Sequence, residues 1–158
     1  MIQRIQSLYL LLAAVLMGLL NFAPVYTTET GQAMYTVYLG GLTKKEPQMT
    51  DYEVLVPQPG LLAVNLILVA LSIFTIFLYK NRKLQKRLSS SLMISSAAFV
   101  ILLAAASNEL MKLVPEYTGE GNLSWGLILP AVSIVFLLLA NRGINKDEEL
   151  IRSADRLR

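Results

Sequence analysis

The sequence predicts an all-α membrane protein: a four-helix transmembrane bundle with a small external β-hairpin cap and a short cytoplasmic C-terminal helix. Three observations predict it. Hydrophobic residues make up 54% of the 158 and charged residues only 16%, where a soluble domain carries about a quarter charged. The charges are clumped, leaving four charge-free runs at residues 5–28, 54–79, 88–108 and 121–141 that together hold 92 residues. Cysteine and histidine are absent. That absence excludes a disulfide scaffold, thiol catalysis, a histidine base and the usual zinc, copper or haem ligands.

The apolar cores span residues 7–23, 61–79, 88–114 and 123–140. Each is long enough to cross about 30 Å of hydrocarbon at ~1.5 Å per residue. Backbone groups in lipid must be satisfied within the segment, so the spans are helices. Buried helices of a soluble bundle would show a charged face every third or fourth residue, and residues 61–79 and 123–140 show none. The first segment could instead be a cleaved signal peptide. Its cleavage site would read Asn21-Phe22-Ala23 before Pro24, which lacks the small-x-small pattern. A retained anchor is the expectation.

Orientation follows from lysine and arginine. Arg4, the loop at residues 80–87 and the tail at residues 141–158 carry 11 of the 14 cations, against three on the opposite side with seven acids. By the positive-inside rule both termini face the cytoplasm. Tyr9, Tyr79 and Trp125 fall near span ends, where amphipathic rings favour the headgroup layer.

Outside the spans, residues 24–60 form the external loop. Met34-Tyr35-Thr36-Val37-Tyr38-Leu39, followed by Gly40-Gly41, reads as a strand and turn, and residues 52–56 as a second strand ending at Pro57. The five cations of residues 80–87 are read as a topology signal attracted to anionic lipid. The pI of about 9.2 is not read as nucleic-acid binding. In the tail, Leu150, Ile151, Ala154 and Leu157 share a helical face, and Glu148 stands four residues before Arg152, a pairing worth ~0.3 kcal/mol. Gly143 is expected to loosen the join between this helix and the fourth span.

The middle turns of the spans hold no ionisable residue, the usual mark of a transport or proton pathway. Glu109 and Lys112 are expected to pair at the outer end of the third span. Asn65 and Ser72, with Thr75 beyond, are the candidate intramembrane polar contacts, of the kind that joins helices. Ser91, Ser95, Ala98 and Ala105 share one face of the third span and are expected to admit a neighbouring helix. Gly126 and Pro130 predict a kink in the fourth. No spacing brings interfacial carboxylates, tyrosines and lysines together for acid–base work. The sequence therefore assigns no catalytic residue, no cofactor and no metal.

Both ends of the chain carry a recognisable pattern. Met1-Ile2-Gln3-Arg4-Ile5-Gln6-Ser7-Leu8-Tyr9-Leu10, the Ala140-Asn141-Arg142 exit from the last span, and the stretch from Lys146-Asp147-Glu148-Glu149 to Arg158 resemble an uncharacterised family of small four-span bacterial inner-membrane proteins, a domain of unknown function. The resemblance implies a four-helix bacterial inner-membrane protein and no known activity. It directs attention to Arg4, Arg142, Lys146, Asp147, Glu148, Arg152, Asp155 and Arg156 as a candidate partner surface. The expected role is an accessory or scaffold subunit of a larger membrane complex, with membrane lipids and a membrane-protein partner or a second copy as neighbours. The alternative is a small oligomeric transporter or channel for a neutral or lipid-like solute, using Asn65, Ser72 and the Pro130 kink.

Overall fold

The computed structural model describes residues 2–30, 33–48, 51–114 and 122–156. Four helices, α1 (Ile2–Leu19), α2 (Pro59–Phe77), α3 (Arg82–Met111) and α4 (Ile128–Arg156), combine with five strands. The strands are β1 (Tyr26–Thr30), β2 (Ala33–Tyr38), β3 (Gly41–Lys45), β4 (Glu53–Pro57) and β5 (Asn122–Leu123). All four helices are long and apolar enough to cross a membrane. α1 and α3 each pack against both α2 and α4, and the α1–α4 interface is the most extensive. The helices therefore form a ring in the order α1, α2, α3, α4.

A shared spacing builds the bundle. Buried positions that carry it are 6, 10, 13 and 17 on α1, with 20 just beyond; 61, 65, 68, 72 and 75 on α2; 85, 89, 92, 96, 99 and 103 on α3; and 130, 133, 137, 140 and 144 on α4. Steps of three and four alternate, the pattern of coiled-coil-like packing in four-helix bundles. These seams are unusually polar: Gln6, Asn65, Ser72, Thr75, Gln85, Ser89, Ser96 and Ser133 are all at most 5% exposed. The outward faces carry bulky apolar side chains instead, among them Leu8, Leu11, Ile67, Phe74, Ile101 and Val135. A water-soluble bundle shows the reverse distribution.

The expected hairpin is a five-stranded antiparallel sheet, ordered β4-β3-β2-β1-β5. Three strands, β1, β3 and β5, lie outside the sequence reading, and two of them escape propensity altogether. Lys44 and Lys45 make β3 look like loop, and β5 is two residues that gain order only by pairing with Tyr26 and Thr27. Tyr26, Tyr35, Val37 and Leu42 lay one face of the sheet on Leu110, Met111 and Val114 at the end of α3. Each such side chain, fully buried, contributes about 1.5–3 kcal/mol. Gly41 opens β3 at φ +141°, and a Cβ there would lie 2.1 Å from the Val56 carbonyl oxygen. Only glycine meets both demands.

Other boundaries differ from the sequence reading for local reasons. The basic segment at 80–87 is mostly helix: Asn81 accepts the Leu84 N–H on its side chain and starts α3. The tail is no separate helix, because α4 runs unbroken from Ile128 to Arg156. Pro130 makes no kink. It occupies the first turn of α4, where its missing N–H would have no helical partner. Gly126 lies before that helix, its N–H donating to the Pro24 carbonyl at 3.0 Å. The small-residue face of α3 points outward: Ser91, Ser95, Ala98 and Ala105 are exposed, while Ser89, Leu92, Ser96 and Phe99 face the bundle.

Candidate functional site

The end of the bundle remote from the sheet gathers polar side chains from every helix. Gln6 enters from α1, 4% exposed, and its amide Nε2 donates to Asp147 Oδ2 on α4 at 2.6 Å. One turn earlier on α4 stands Gly143. A Cβ there would lie 2.8 Å from Gln6 Cγ, so Gly143 admits Gln6 to the interface and continues the helix. It does not loosen the chain.

Two further ties close the same end. Asn141 on α4 donates through Nδ2 to Ser90 Oγ on α3 at 3.2 Å, and the Ser90 hydroxyl lies 3.4 Å from Asn141 Oδ1. Gln85 Nε2 donates to the Thr75 carbonyl at 3.3 Å, an oxygen at the end of α2 that also accepts the Leu78 N–H. Ser89 Oγ and Asn145 Oδ1 are buried here without a hydrogen-bond partner.

Nearer the sheet, Asn65 joins α2 to α1. It is fully buried, and its Nδ2 donates to the Met17 carbonyl at 2.9 Å and to Asn21 Oδ1 at 3.1 Å. Asn21 in turn donates to the Gly18 carbonyl at 2.8 Å. Both amide hydrogens of Asn65 are therefore engaged, and its Oδ1 is left buried and unpartnered, as is Ser133 Oγ. Ser72 behaves differently. Its hydroxyl donates to Leu68 O in its own helix at 2.9 Å, as Thr75 does to Leu71 O at 2.7 Å, so neither hydroxyl ties two helices together.

The candidate partner surface divides in the structure. Arg142 and Lys146 are exposed on α4, and Asp147 is half-buried and bonded to Gln6. Arg4 lies on α1, and Glu148, Arg152, Asp155 and Arg156 lie on α4; their side chains, and so the Glu148–Arg152 pairing, fall outside the described residues. Gln6, Gln85, Ser90 and Asn141 were not singled out by composition or spacing, and Gly143 was singled out only as a loose join. Gln6 and Gln85 hold seam positions, and Ser90, Asn141 and Gly143 stand one residue beside them; their signal is a polar or glycine residue at or next to the seam of a helix. The two terminal motifs thus converge on one joint, with Gln6 of the first set against Asp147 of the last and against Gly143, which lies just outside the motifs.

On the sheet, Lys44 pairs with Glu46 at 2.5 Å and its ammonium is held above the usual lysine range, chiefly by that hydrogen bond. Burial, then the neighbouring Tyr52, pushes the Tyr38 hydroxyl up. Lys45 stands 5.0 Å from the Tyr52 ring centre. A cavity of about 320 Å³ opens on this sheet, lined by Ala33, Tyr35, Lys44, Glu46, Pro47 and Gln48, with no helix residue in its wall. Glu109 and Lys112 pair at 2.6 Å in an exposed position. Among the described residues no three acidic side chains converge as a metal site would require.

A family model described as a domain of unknown function (DUF4293) matches residues 2–157. The chain belongs to that family. A search of curated proteins gives no match.

Proposed function

We propose that this DUF4293 member is an integral protein of a bacterial inner membrane, both termini cytoplasmic, acting as an accessory or scaffold subunit of a larger membrane complex. The membrane setting is supported by polar seams inside the bundle and bulky apolar side chains outside it, the arrangement an apolar solvent favours. The orientation is supported by the 11 of 14 cations at the tail end. The bacterial assignment rests on the resemblance of the two chain ends.

The observation that carries the scaffold reading is the employment of the buried polar groups. Asn65, Gln6, Asn141 and Gln85 tie one helix to another, and the described seams hold no acid or base at mid-span to carry a coupled ion. The groups available for transport are serving as joints. Native membranes solubilised in mild detergent should yield the protein in an assembly far heavier than 17.5 kDa. A small homo-oligomer persisting across several detergents would count against the reading.

Transport of a neutral or lipid-like solute is the second reading, favoured by the unpartnered Asn65 Oδ1 and Ser133 Oγ inside the bundle. Proteoliposomes decide it: solute flux abolished by Asn65→Leu would support transport, and absence of flux would remove it.

A further inference from the structure

We propose that Lys83 and Arg87 of α3 and Arg142 and Lys146 of α4 together bind the phosphate headgroup of an anionic phospholipid. The proposal rests on the membrane reading above. All four side chains are exposed, and the four-residue spacing within each pair sets its two cations on one helix face. α3 and α4 pack side by side, held in register by Ser90 and Asn141. Counting helical rise from that joint at ~1.5 Å per residue, Arg142 and Lys146 fall within about a turn of the depth of Lys83 and Arg87.

Little negative charge opposes this band. Residues 54–108 contain no acid, and Asp147 accepts from Gln6 on the α1 side of α4. Glu148 and Glu149 follow along α4, outnumbered by the five cations of residues 80–87 alone. A positive-inside topology needs only the number of these charges; a headgroup site needs them at these positions.

A lipid fits better than a free phosphate because the band borders an apolar surface. On α3 Leu84 is 40% exposed, and on α4 Leu138, one turn before Arg142, is 39% exposed. A headgroup held by the cations lays its acyl chains along these side chains, whereas a soluble anion gains the charge contacts alone. Each Lys or Arg near an anionic lipid surface strengthens binding by about fivefold.

Nanodiscs of mixed phosphatidylglycerol and phosphatidylcholine, read by native mass spectrometry of retained lipid, test the site. The full chain should retain phosphatidylglycerol preferentially. Lys83→Gln with Arg87→Gln, and separately Arg142→Gln with Lys146→Gln, should each lower that preference roughly 25-fold with the circular dichroism spectrum unchanged. Equal preference in the full chain and both variants overturns the proposal, as does displacement of the retained lipid by millimolar glycerol phosphate. Release of the protein from native membranes by alkaline carbonate would instead sink the membrane reading, so the two failures are distinguishable.

Discussion

Gln6 and Asp147 stand 141 residues apart in the chain and 2.6 Å apart in the fold. Between them Gly143 removes the side chain that would keep α1 at a distance. The three residues are one joint, and its parts answer differently to substitution.

Gly143→Ala should destabilise the protein by about 1 kcal/mol. Overpacking costs ~1–3 kcal/mol, and replacing a mid-helix glycine returns ~0.5–1 kcal/mol. In a Gln6→Ala background the obstruction is gone, and the same substitution should become stabilising. Thermal unfolding in detergent, followed by circular dichroism, measures both; an identical cost in the two backgrounds would sink the contact as the cause.

Asp147→Asn keeps an acceptor for the Gln6 amide and should be nearly neutral. Asp147→Leu orphans a side chain that is 4% exposed and should cost roughly 1–3 kcal/mol. The comparison separates the hydrogen bond from the charge, and an equal loss in the two variants would assign the effect to charge.

Asn65→Leu removes two bonds from α2, one to Met17 of α1 and one to Asn21 just beyond it. Hydrogen bonds between membrane helices average about 0.6 kcal/mol each, so a loss of ~1–2 kcal/mol is expected. Ser72→Ala, whose hydroxyl bonds only its own helix, should change stability by less than about 0.5 kcal/mol. Equal losses would contradict the division between the two residues.

Gly126→Ala should be far worse than Gly18→Ala. A Cβ at residue 126 would lie 2.2 Å from the Pro24 carbonyl oxygen, an atom fixed by backbone, while nothing stands within 4 Å at residue 18. The first should cost on the order of 2–3 kcal/mol; the second should be neutral or mildly stabilising. Paired unfolding curves suffice to test the ranking.

The sheet should weaken in alkali. Tyr38 and Lys44 both have raised proton affinities in the fold, above the ordinary 10.0 and 10.5. A raised folded value means the stabilisation is whole below the ordinary value and lost as pH climbs through the folded one. Stability should therefore be insensitive to these groups at neutral pH and fall above about pH 10. Ultraviolet titration should show Tyr38 ionising late, and Tyr52→Phe should bring it earlier; no change on that substitution would refute the Tyr52 contribution.

The four helices were legible because length and missing charge mark an apolar segment without reference to its neighbours. Their facing was not. Where nearly every residue is apolar, hydrophobic periodicity has little contrast, and small side chains suggested the wrong face of α3: Ser91 and Ser95 point outward and Ser89 and Ser96 inward. The readable cue was the recurrence of polar residues at four- and seven-residue steps, as in Gln85, Ser89 and Ser96. Asn65 was legible as a lone amide deep in a span, whereas Gly143 passed for a weak point because glycine disfavours helix unless a neighbour needs its space. The extra strands were hidden by Lys44 and Lys45 and by the brevity of Asn122–Leu123, whose pairing is decided across the fold.

The α1–α4 interface also sets an order of events. A chain is made from its N-terminus, so α1 is finished long before the helix it packs against most. Until α4 emerges, Gln6 has no Asp147 and the groove for Gly143 stands open to whatever surrounds it. α2 can steady α1 in the interval through Asn65 and Met17. Assembly of this bundle is thus closed by its last helix, and a chain halted after α3 would hold three helices with the Gln6 amide still lacking its Asp147 acceptor.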